Sequence, residues 1–453
     1  MKCTMLDEPL TEAERFPLLT ERSRARLRWL QQHENAPRWT YQCGERLDAA
    51  GLADVQAFAA RQRLERCGWK FGQAPAWVPD FIERCRREVP FYRDLLSRDP
   101  LATCNRDDLR REPWSFVPDW ADASELIVFR TSGTTGNLIP IPAHPVAPAR
   151  YLPLFQSALA ANGVSLIGGD RVSVIQVAAQ VRTYTFASIS SYLDGAGFAK
   201  INLNPADWTR SDDRVRFFDA CAPELVTGDP FALEQLAALP VQARPKGILS
   251  SATLLLPALR DRLQRRFGCP VIDVYSMNET GPIAFARADS DADEHEVLPH
   301  NLFVEILDES CRPVPPGQRG QIVVTGGVNP FLPLVRYGTG DFGALSFHGD
   351  VPRLVGVERR RPVVFRATDG APVVSISVTV ALFSLPLPFF SLHQARDGRL
   401  TFRTRCDAMV EDEVRHALMG LFGATPLRIE QVPWEVAWSG KSIQYTRDAE
   451  DTQ

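Results

Sequence analysis

The sequence predicts an α/β protein in which a large N-terminal domain, with parallel sheets, helices and a small β-barrel-like part, precedes a small α+β domain. Between residues 126 and 276, apolar runs alternate with helical patterns, which is typical of βαβ units and a mainly parallel sheet. From residue 301, Pro and Gly turns separate short strands, which indicates an appended antiparallel barrel or sheet. After residue 356, strand-like segments surround one helix, as in a separate small domain.

Composition narrows the class of protein. The chain has 453 residues, of which 45% are hydrophobic and 23% charged, enough for two or more domains with substantial cores. A net charge of -4 argues against a nucleic-acid partner, and the absence of long apolar runs argues against a membrane partner. Residues 1–28 lack an apolar signal segment. The nine cysteines have no metal-ligand or redox spacing, so we expect a reducing compartment, the cytoplasm.

The elements follow in order along the chain. Residues 1–110 form a helical N-terminal part, with amphipathic helices predicted at 12–31, 52–66 and 78–97. In the α/β core, helices are predicted at 147–162, 212–221, 230–239 and 255–267, and strands at 171–177, 224–228, 246–253 and 270–276. The stretch 184–193 fits a helix or a half-buried element. Because ligands bind beyond the carboxyl ends of parallel strands, the loops after Phe129, Thr253 and Tyr275 should share one mouth.

The C-terminal third has shorter elements. Strands are predicted at 302–307, 320–325 and 334–337, and then at 373–380, 400–405 and 427–432 around a helix at 410–422. We place the domain boundary near 352–359, which gives a large domain at 1–354 and a small domain at 355–453.

A loop of hydroxyl residues and glycines follows the apolar run 126–129. It consists of Thr131, Ser132, Gly133, Thr134, Thr135 and Gly136. Glycine tolerates unusual backbone angles and each hydroxyl can donate, so the loop can wrap phosphate oxygens. It is not a Walker A loop, because no Gly-Lys-Ser/Thr follows at the required spacing. An ordinary polar turn is the alternative interpretation.

Three further clusters lie downstream of this loop. They are the segments 273–282 (DVYSMNETGP), 333–341 (PLVRYGTGD) and 438–442 (WSGKS). With the hydroxyl-Gly loop, they resemble the phosphate loop, the Tyr-x-x-x-Glu motif, the Arg-Tyr-x-Thr-Gly-Asp motif and the C-terminal Gly-Lys motif of the adenylate-forming (ANL) superfamily. The bare SGTTG and the segment 89–93 (VPFYR) resemble the phenylacetate–CoA ligase-like branch.

The resemblance implies roles for individual residues and implies ATP, Mg²⁺ and, as a probable co-substrate, CoA. Glu279 would ligate Mg²⁺, Asp341 would accept the ribose hydroxyls, and Lys441 would neutralise charge during adenylation. The other nucleotide-binding candidates are the loop 131–136, Ser251, Asp273, Tyr275, Ser276, Asn278, Thr280 and Arg359. Each of these residues also has a simpler interpretation. Glu279 could be an exposed loop carboxylate and Asp341 a turn residue. Tyr275 could be a core aromatic and Lys441 a surface lysine.

The acid pocket is expected at Tyr184, Phe186, Met277, Gly281 and Pro282, although these aromatics could equally be core. Because no basic partner for a second carboxylate is evident, the lining favours an aromatic or apolar acid. The sequence therefore predicts an ATP-dependent ligase that makes an acyl-AMP and passes the acyl group to a thiol, most often CoA. A carrier protein or amine acceptor and a non-catalytic nucleotide-binding module remain alternatives, and a homodimer is left open.

Overall fold

A computed structural model describes residues 10–64, 68–131, 139–287, 293–298, 302–358, 362–433 and 444–448. The α-helices are α1 Glu12–Arg15, α2 Glu21–Gln32, α3 Ala49–Leu64, α4 Trp77–Glu88, α5 Pro90–Arg98, α6 Arg106–Arg111, α7 Val146–Ala149, α8 Tyr151–Ala161, α9 Asp213–Cys221, α10 Pro230–Ala238, α11 Pro257–Phe267, α12 Ser375–Ala381 and α13 Ala408–Phe422. Within these described segments, no helix combines the length and the hydropathy that a membrane span requires.

The strands up to residue 285 are β1 Cys104–Asn105, β2 Ile127–Thr131, β3 Ile139–Ala143, β4 Val172–Ala178, β5 Phe186–Ser190, β6 Ala196–Asn202, β7 Leu225–Gly228, β8 Gly247–Ser250, β9 Val271–Met277 and β10 Gly281–Phe285. The later strands are β11 Glu294–Val297, β12 Leu302–Leu307, β13 Arg319–Gly326, β14 Leu334–His348, β15 Val351–Glu358, β16 Val364–Arg366, β17 Pro372–Val374, β18 Phe390–Gln394, β19 Leu400–Thr404, β20 Leu427–Gln431 and β21 Tyr445–Arg447.

The expected parallel sheet is confirmed. Strands β6, β4, β7, β8 and β9 are neighbours in that order and pair in parallel, and β5 adds an antiparallel edge. Successive side chains along a strand point to opposite faces of the sheet, so these strands contribute to two apolar clusters. Ile175 and Val226 lie in the cluster that includes residues of α2, α9, α10 and α11. Val174 and Leu225 lie in the cluster that includes residues of α3 and α8. The sheet is therefore covered by helices on both faces.

The antiparallel strands continue this sheet. Strand β10 pairs with β9, and the chain of pairings runs on through β11, β15, β14 and β13 to β12. The result is one thirteen-stranded hydrogen-bonded sheet, with β1 attached to β14. Although β10, β11 and β15 lie between β9 and β14 in this sheet, the Tyr275 hydroxyl reaches the Asp341 carboxylate, so residues 273–282 and 333–341 approach each other.

The C-terminal segment has its own sheet and core. Strands β20, β19, β18 and β21 form a four-stranded sheet in that order. Phe402, Val414 and Leu418 lie in a buried cluster of this region, which also takes in Leu256 from the start of α11. Strand β15 pairs with β14 as far as Glu358, so the large sheet extends past the boundary that we placed at residue 354. The boundary itself stays a prediction.

Several element predictions need correction. The stretch 184–193 contains strand β5, because Ala187 and Ile189 alternate into the core while Phe186 and Ser188 face the other side. Residues 375–381 form α12 instead of a strand, although the segment is rich in β-branched residues. Val378 and Leu382 are four positions apart and buried in the C-terminal cluster, so tertiary packing overrides β-propensity there. The predicted helices at 12–31 and 78–97 are each divided in two.

Candidate active site

The turn between β9 and β10 carries the carboxylate predicted to ligate a metal. Met277 pairs with Gly281, so Asn278, Glu279 and Thr280 form the connection. Gly281 has a φ of +77°, and a Cβ there would lie 2.8 Å from Cε1 of Tyr151 and 3.0 Å from Cγ2 of Val328. Glycine is therefore required by the backbone angle and by the space. This explains why Gly281 follows the Glu279 turn.

Glu279 is buried, with only 4% of its surface exposed. Burial raises the pKa of its carboxyl group, whereas its own backbone N–H and the nearby Arg106 lower it and Asp341 raises it further. The Tyr337 hydroxyl donates a long hydrogen bond of 3.5 Å to Oε1. A bound cation would remove the cost of keeping this carboxylate charged.

Asp341 on β14 lies close enough to the same turn for its charge to act on Glu279, although three strands separate β14 from β9 in the sheet. The Tyr275 hydroxyl donates a 2.8 Å hydrogen bond to its Oδ2. The backbone N–H of Asp341 donates to Oγ1 of Thr339, and that hydroxyl donates to the carbonyl of Ile322 at 2.8 Å. Tyr275 is itself 4% exposed and packs in the core. The Asp341 carboxylate is therefore held in a defined orientation while remaining half-buried.

Asp273 pairs with a histidine that the sequence did not single out. Nε2 of His295 lies 3.1 Å from Oδ2 of Asp273, and His295 is 6% exposed. Within the described residues, its Nδ1 has no hydrogen-bond partner. His295 lies on β11, which reaches the site only because it pairs with β10 and β15. No local sequence pattern could have indicated that position.

A small cavity of about 50 Å³ lies against these residues. The large sheet contributes Asp273, Tyr275 and His295 to its lining, and the C-terminal segment contributes Thr379 and Tyr445. The hydroxyls of Thr379 and Tyr445 are 2.6 Å apart. The C-terminal segment therefore packs next to the predicted nucleotide-binding residues.

The turn after β8 holds a non-glycine residue in the left-handed backbone conformation that glycine usually occupies. Ser250 is fully buried, Ser251 donates its backbone N–H to the Gly228 carbonyl, and Ala252 has a φ of +73°. A left-handed backbone at a non-glycine residue costs roughly 1–2 kcal/mol. The chain accepts this strain where it turns beside Thr253 and Leu254, which line the cavity.

The remaining predicted residues divide into three groups. Ser276 and Met277 lie at the end of β9 and are half-buried, Asn278 is exposed, and Thr280 and Pro282 are buried. Thr131 is the last residue of β2. The loop residues Ser132, Gly133, Thr134, Thr135 and Gly136, together with Arg359 and Lys441, lie outside the described residues. Their predicted roles stay predictions.

Tyr184 and Phe186, the aromatic residues predicted to line the acid pocket, lie at the β5 edge of the parallel sheet, on the opposite side from β9. Phe186 begins β5 and is 7% exposed, whereas Tyr184 precedes it and is 56% exposed. Their rings stack with centroids 6.2 Å apart. Phe186 also points to the α8 side of the sheet, where Tyr151 lies close to Gly281. The two halves of the predicted pocket therefore share one face of the sheet.

Arg336, which belongs to the third motif, has a structural role. It is 7% exposed, its guanidinium donates to the carbonyls of Leu101 and Cys311, and its Nε lies 3.5 Å from Glu305. These contacts anchor β14 to the N-terminal part and to β12. Three residues after the arginine on the chain, Thr339 begins the polar contacts that orient Asp341.

Comparisons with known proteins agree with this architecture. The family model described as "AMP-binding enzyme" matches residues 199–329. A phenylacetate-coenzyme A ligase of Thermus thermophilus is 23% identical over 348 residues, which cover 69% of this chain and 75% of that protein.

Two solved structures share the fold. Both are of 2-hydroxyisobutyryl-CoA ligase in the postadenylation state. The complex with R3-HIB-AMP has a TM-score of 0.58 at 18% identity, covering 82% of this chain and 88% of that chain. The complex with 2-HIB-AMP has a TM-score of 0.56 at 18% identity, covering 91% of each chain.

Proposed function

We propose that the chain is a member of the adenylate-forming (ANL) superfamily, similar to its phenylacetate–CoA ligase-like branch, and that it couples a small carboxylic acid to coenzyme A. In the first half-reaction, ATP and the acid give an acyl-AMP and pyrophosphate. In the second, the CoA thiol displaces AMP and a thioester forms. The acid is a small molecule that binds between the Glu279 turn and the aromatic residues at β5.

One observation carries this proposal. Glu279 and Asp341, which the resemblance assigns to the metal and the ribose, are close enough for each charge to affect the other. They come from different strands of one sheet, and Tyr337 and Tyr275 hold them by their hydroxyls. Convergence of two carboxylates from distant motifs supports a nucleotide site, because two like charges this close favour a bound cation or hydrogen-bond donor between them.

The donor set fits Mg²⁺. Glu279 offers carboxylate oxygens, which a hard cation prefers, and burial excludes competing water. The described residues contain no cluster of three or more His, Cys, Asp or Glu that could hold a metal by themselves. Mg²⁺ commonly takes one or two protein carboxylates and fills its other positions with phosphate oxygens and water. Such a cation would offset the repulsion between the attacking carboxylate and the α-phosphate.

The chain's own groups position the reactants. Two like charges in contact at intermediate dielectric repel by several kcal/mol, about 4 at 4 Å and an effective dielectric of 20. The hydroxyl-Gly loop and Lys441 are proposed to supply the donors and the positive charge that reduce this barrier. Asp341 would orient the ribose through one carboxylate oxygen, while its other oxygen is held by Tyr275. His295 and Asp273 would form the far wall of the nucleotide pocket.

The test begins with the purified protein, ATP, Mg²⁺ and a panel of carboxylic acids. Pyrophosphate release that depends on one of the acids, and that Glu279→Gln and Lys441→Ala each reduce at least a hundredfold, is the expected result. Adding CoA should then give a thioester of the expected mass. ATP binding without turnover on any acid would favour a nucleotide-binding module, and an acyl-AMP that does not react with CoA would favour another acceptor.

A further inference from the structure

A row of polar side chains lies on the α8 face of the parallel sheet, near the carboxyl ends of its strands. Gln176 on β4 pairs with Lys200 on β6 and with Thr227 on β7, so all three share one register and one face. They are half-buried, whereas most residues of these strands are buried. Across the described part of the chain, no side-chain hydrogen bond or ion pair engages any of them. Because these side chains are only half-buried, either water or a bound ligand can supply their hydrogen bonds.

Lys200 is the charged member of this row. Its Nζ lies 3.8 Å from the centroid of the Tyr184 ring, and Phe186 is its pairing partner on β5. Tyr41 adds a third ring, 5.7 Å from that of Tyr184. Burial lowers the pKa of Lys200 to about 8, with no carboxylate acting in the opposite direction. A cation–π contact is worth about 0.5–2 kcal/mol, which is less than the cost of leaving a desolvated ammonium without a counter-charge.

The same face of the sheet leads to the Glu279 turn. Tyr151 and Phe155 on α8 pack with Val174 and Phe198, which precede Gln176 and Lys200 on their strands. Tyr151 also lies against the position of Gly281, and burial, with a smaller contribution from the charge of Glu279, raises the pKa of the Tyr151 hydroxyl. The α8 face of the sheet therefore carries the Glu279 turn near one end and Lys200 near the other.

We propose that Lys200 binds a second anionic group of the acid substrate, remote from the carboxylate that is activated. The substrate class is then a dianionic acid, such as a dicarboxylic acid, whose middle part packs against Tyr184 and Phe186. Gln176 and Thr227 donate further hydrogen bonds to the distal anion. This inference rests on the proposed function, and it replaces the apolar acid expected from the sequence. That expectation failed to consider Lys200 because β6 was not among the predicted strands.

The experiment compares matched acids that differ only in the distal group: phenylacetate with 4-carboxyphenylacetate, and hexanoate with adipate. ATP–pyrophosphate exchange is measured for the wild type, Lys200→Met, Lys200→Arg and Lys70→Met. Lys70 is exposed and serves as the matched control. The wild type should use one of the dianionic acids at least about tenfold better in kcat/KM than its partner, which corresponds to one ion pair of about 1.4 kcal/mol.

Lys200→Met should abolish that preference by lowering kcat/KM for the dianionic acid at least about tenfold more than for its monoanionic partner. Lys200→Arg should restore part of it, and Lys70→Met should behave as the wild type. Equal losses for both acids of a pair, or a wild-type preference for the monoanionic acids, would overturn the proposal. If no acid supports exchange, the proposed function fails, and calorimetric titration with the acids alone still tests Lys200. Tighter binding of a dianion by the wild type than by Lys200→Met would support the site, and equal binding would overturn it.

Discussion

The hydroxyl of Tyr275 donates a 2.8 Å hydrogen bond to Oδ2 of Asp341, which joins β9 to β14 across 66 positions of sequence. The two residues belong to different motifs, and the bond connects a core aromatic ring to a half-buried carboxylate. A hydrogen bond to a charged group contributes about 1.5–3 kcal/mol. The orientation of Asp341 therefore depends on a residue whose ring is fully enclosed in the core.

Tyr275→Phe tests this dependence. The ring keeps its packing, so the fold should be retained, but the Asp341 carboxylate loses one donor and its fixed orientation. We expect the KM for ATP to rise about tenfold, equivalent to about 1.4 kcal/mol, with a smaller change in kcat. Exchange kinetics at varied ATP concentration measure the two constants. With 2′-deoxy-ATP the increase should be smaller, because one ribose hydroxyl is absent. An unchanged KM for ATP would separate Tyr275 from nucleotide binding.

Glu279→Gln should separate catalysis from stability. Because burial raises the pKa of Glu279 above its ordinary value of 4.5, its stabilising contribution is complete below pH 4.5 and is lost as the pH rises through the folded-state pKa. Wild type without metal should therefore lose stability relative to Glu279→Gln as the pH is raised from 4 to 8. Urea denaturation at several pH values checks this, and Mg²⁺-dependent adenylation should fall in the same variant. If the difference in unfolding free energy between the wild type and Glu279→Gln did not change with pH, Glu279 would not have a raised pKa in the folded protein.

Gly281→Ala should destabilise the fold by more than the positive φ at this position alone would cause. The new Cβ would approach Tyr151 to 2.8 Å, in addition to the strain of a positive φ. Gly268→Ala is a matched control, because Gly268 has a φ of +70° and nothing within 4 Å of the added Cβ. Both variants should lose about 1 kcal/mol of unfolding free energy through backbone strain, and Gly281→Ala should lose about 1–3 kcal/mol more through overpacking. Thermal unfolding of both variants measures the difference, and equal losses would show that Tyr151 moves freely.

Glu45 should make the stability of the N-terminal part depend on pH. Burial raises the pKa of Glu45 to about 7, although the hydroxyl and backbone N–H of Ser191 both donate to it. Its stabilising contribution is complete below pH 4.5 and is lost as the pH rises through about 7. Between pH 4.5 and 8, wild type should lose on the order of 2 kcal/mol relative to Glu45→Gln. Denaturation curves of these proteins and of the exposed-site control Glu34→Gln measure this change, and parallel curves would refute it.

The preference for a dianionic acid should itself depend on pH. Lys200 loses its proton as the pH rises through about 8, so the ratio of kcat/KM values for the dianionic and monoanionic acids should fall above that pH. The neighbouring groups titrate higher, since burial raises the pKa of Cys43 to about 11 and also raises that of Tyr184. Exchange assays between pH 6.5 and 9.5 give the profile. A ratio that stays constant across this range would argue against a charged Lys200 in recognition.

Local sequence patterns were enough to predict many of the strands and helices of the core and the candidate site residues. Alternating apolar runs predicted β4, β7, β8 and β9 and the helices between them, because burial on both faces leaves continuous hydrophobic strands. Motifs with fixed spacing singled out Glu279, in the turn after β9, and Asp341, in the middle of β14, as candidate site residues. The α/β class and the resemblance to the ANL superfamily could therefore be predicted from the sequence.

Tertiary structure alone decided which distant residues meet. Strand β6, with two small residues at its start and a lysine near its end, has weak local signals and is a strand because it pairs with β4 and β5. His295 reaches Asp273, and Lys200 reaches Tyr184, only through strand pairing and register. Residues 375–381 became a helix because packing of Val378 outweighs β-propensity. Pairing and packing are non-local, so the sequence identified the motifs predicted to bind a nucleotide but not Lys200, which we propose binds the distal anion of the acid.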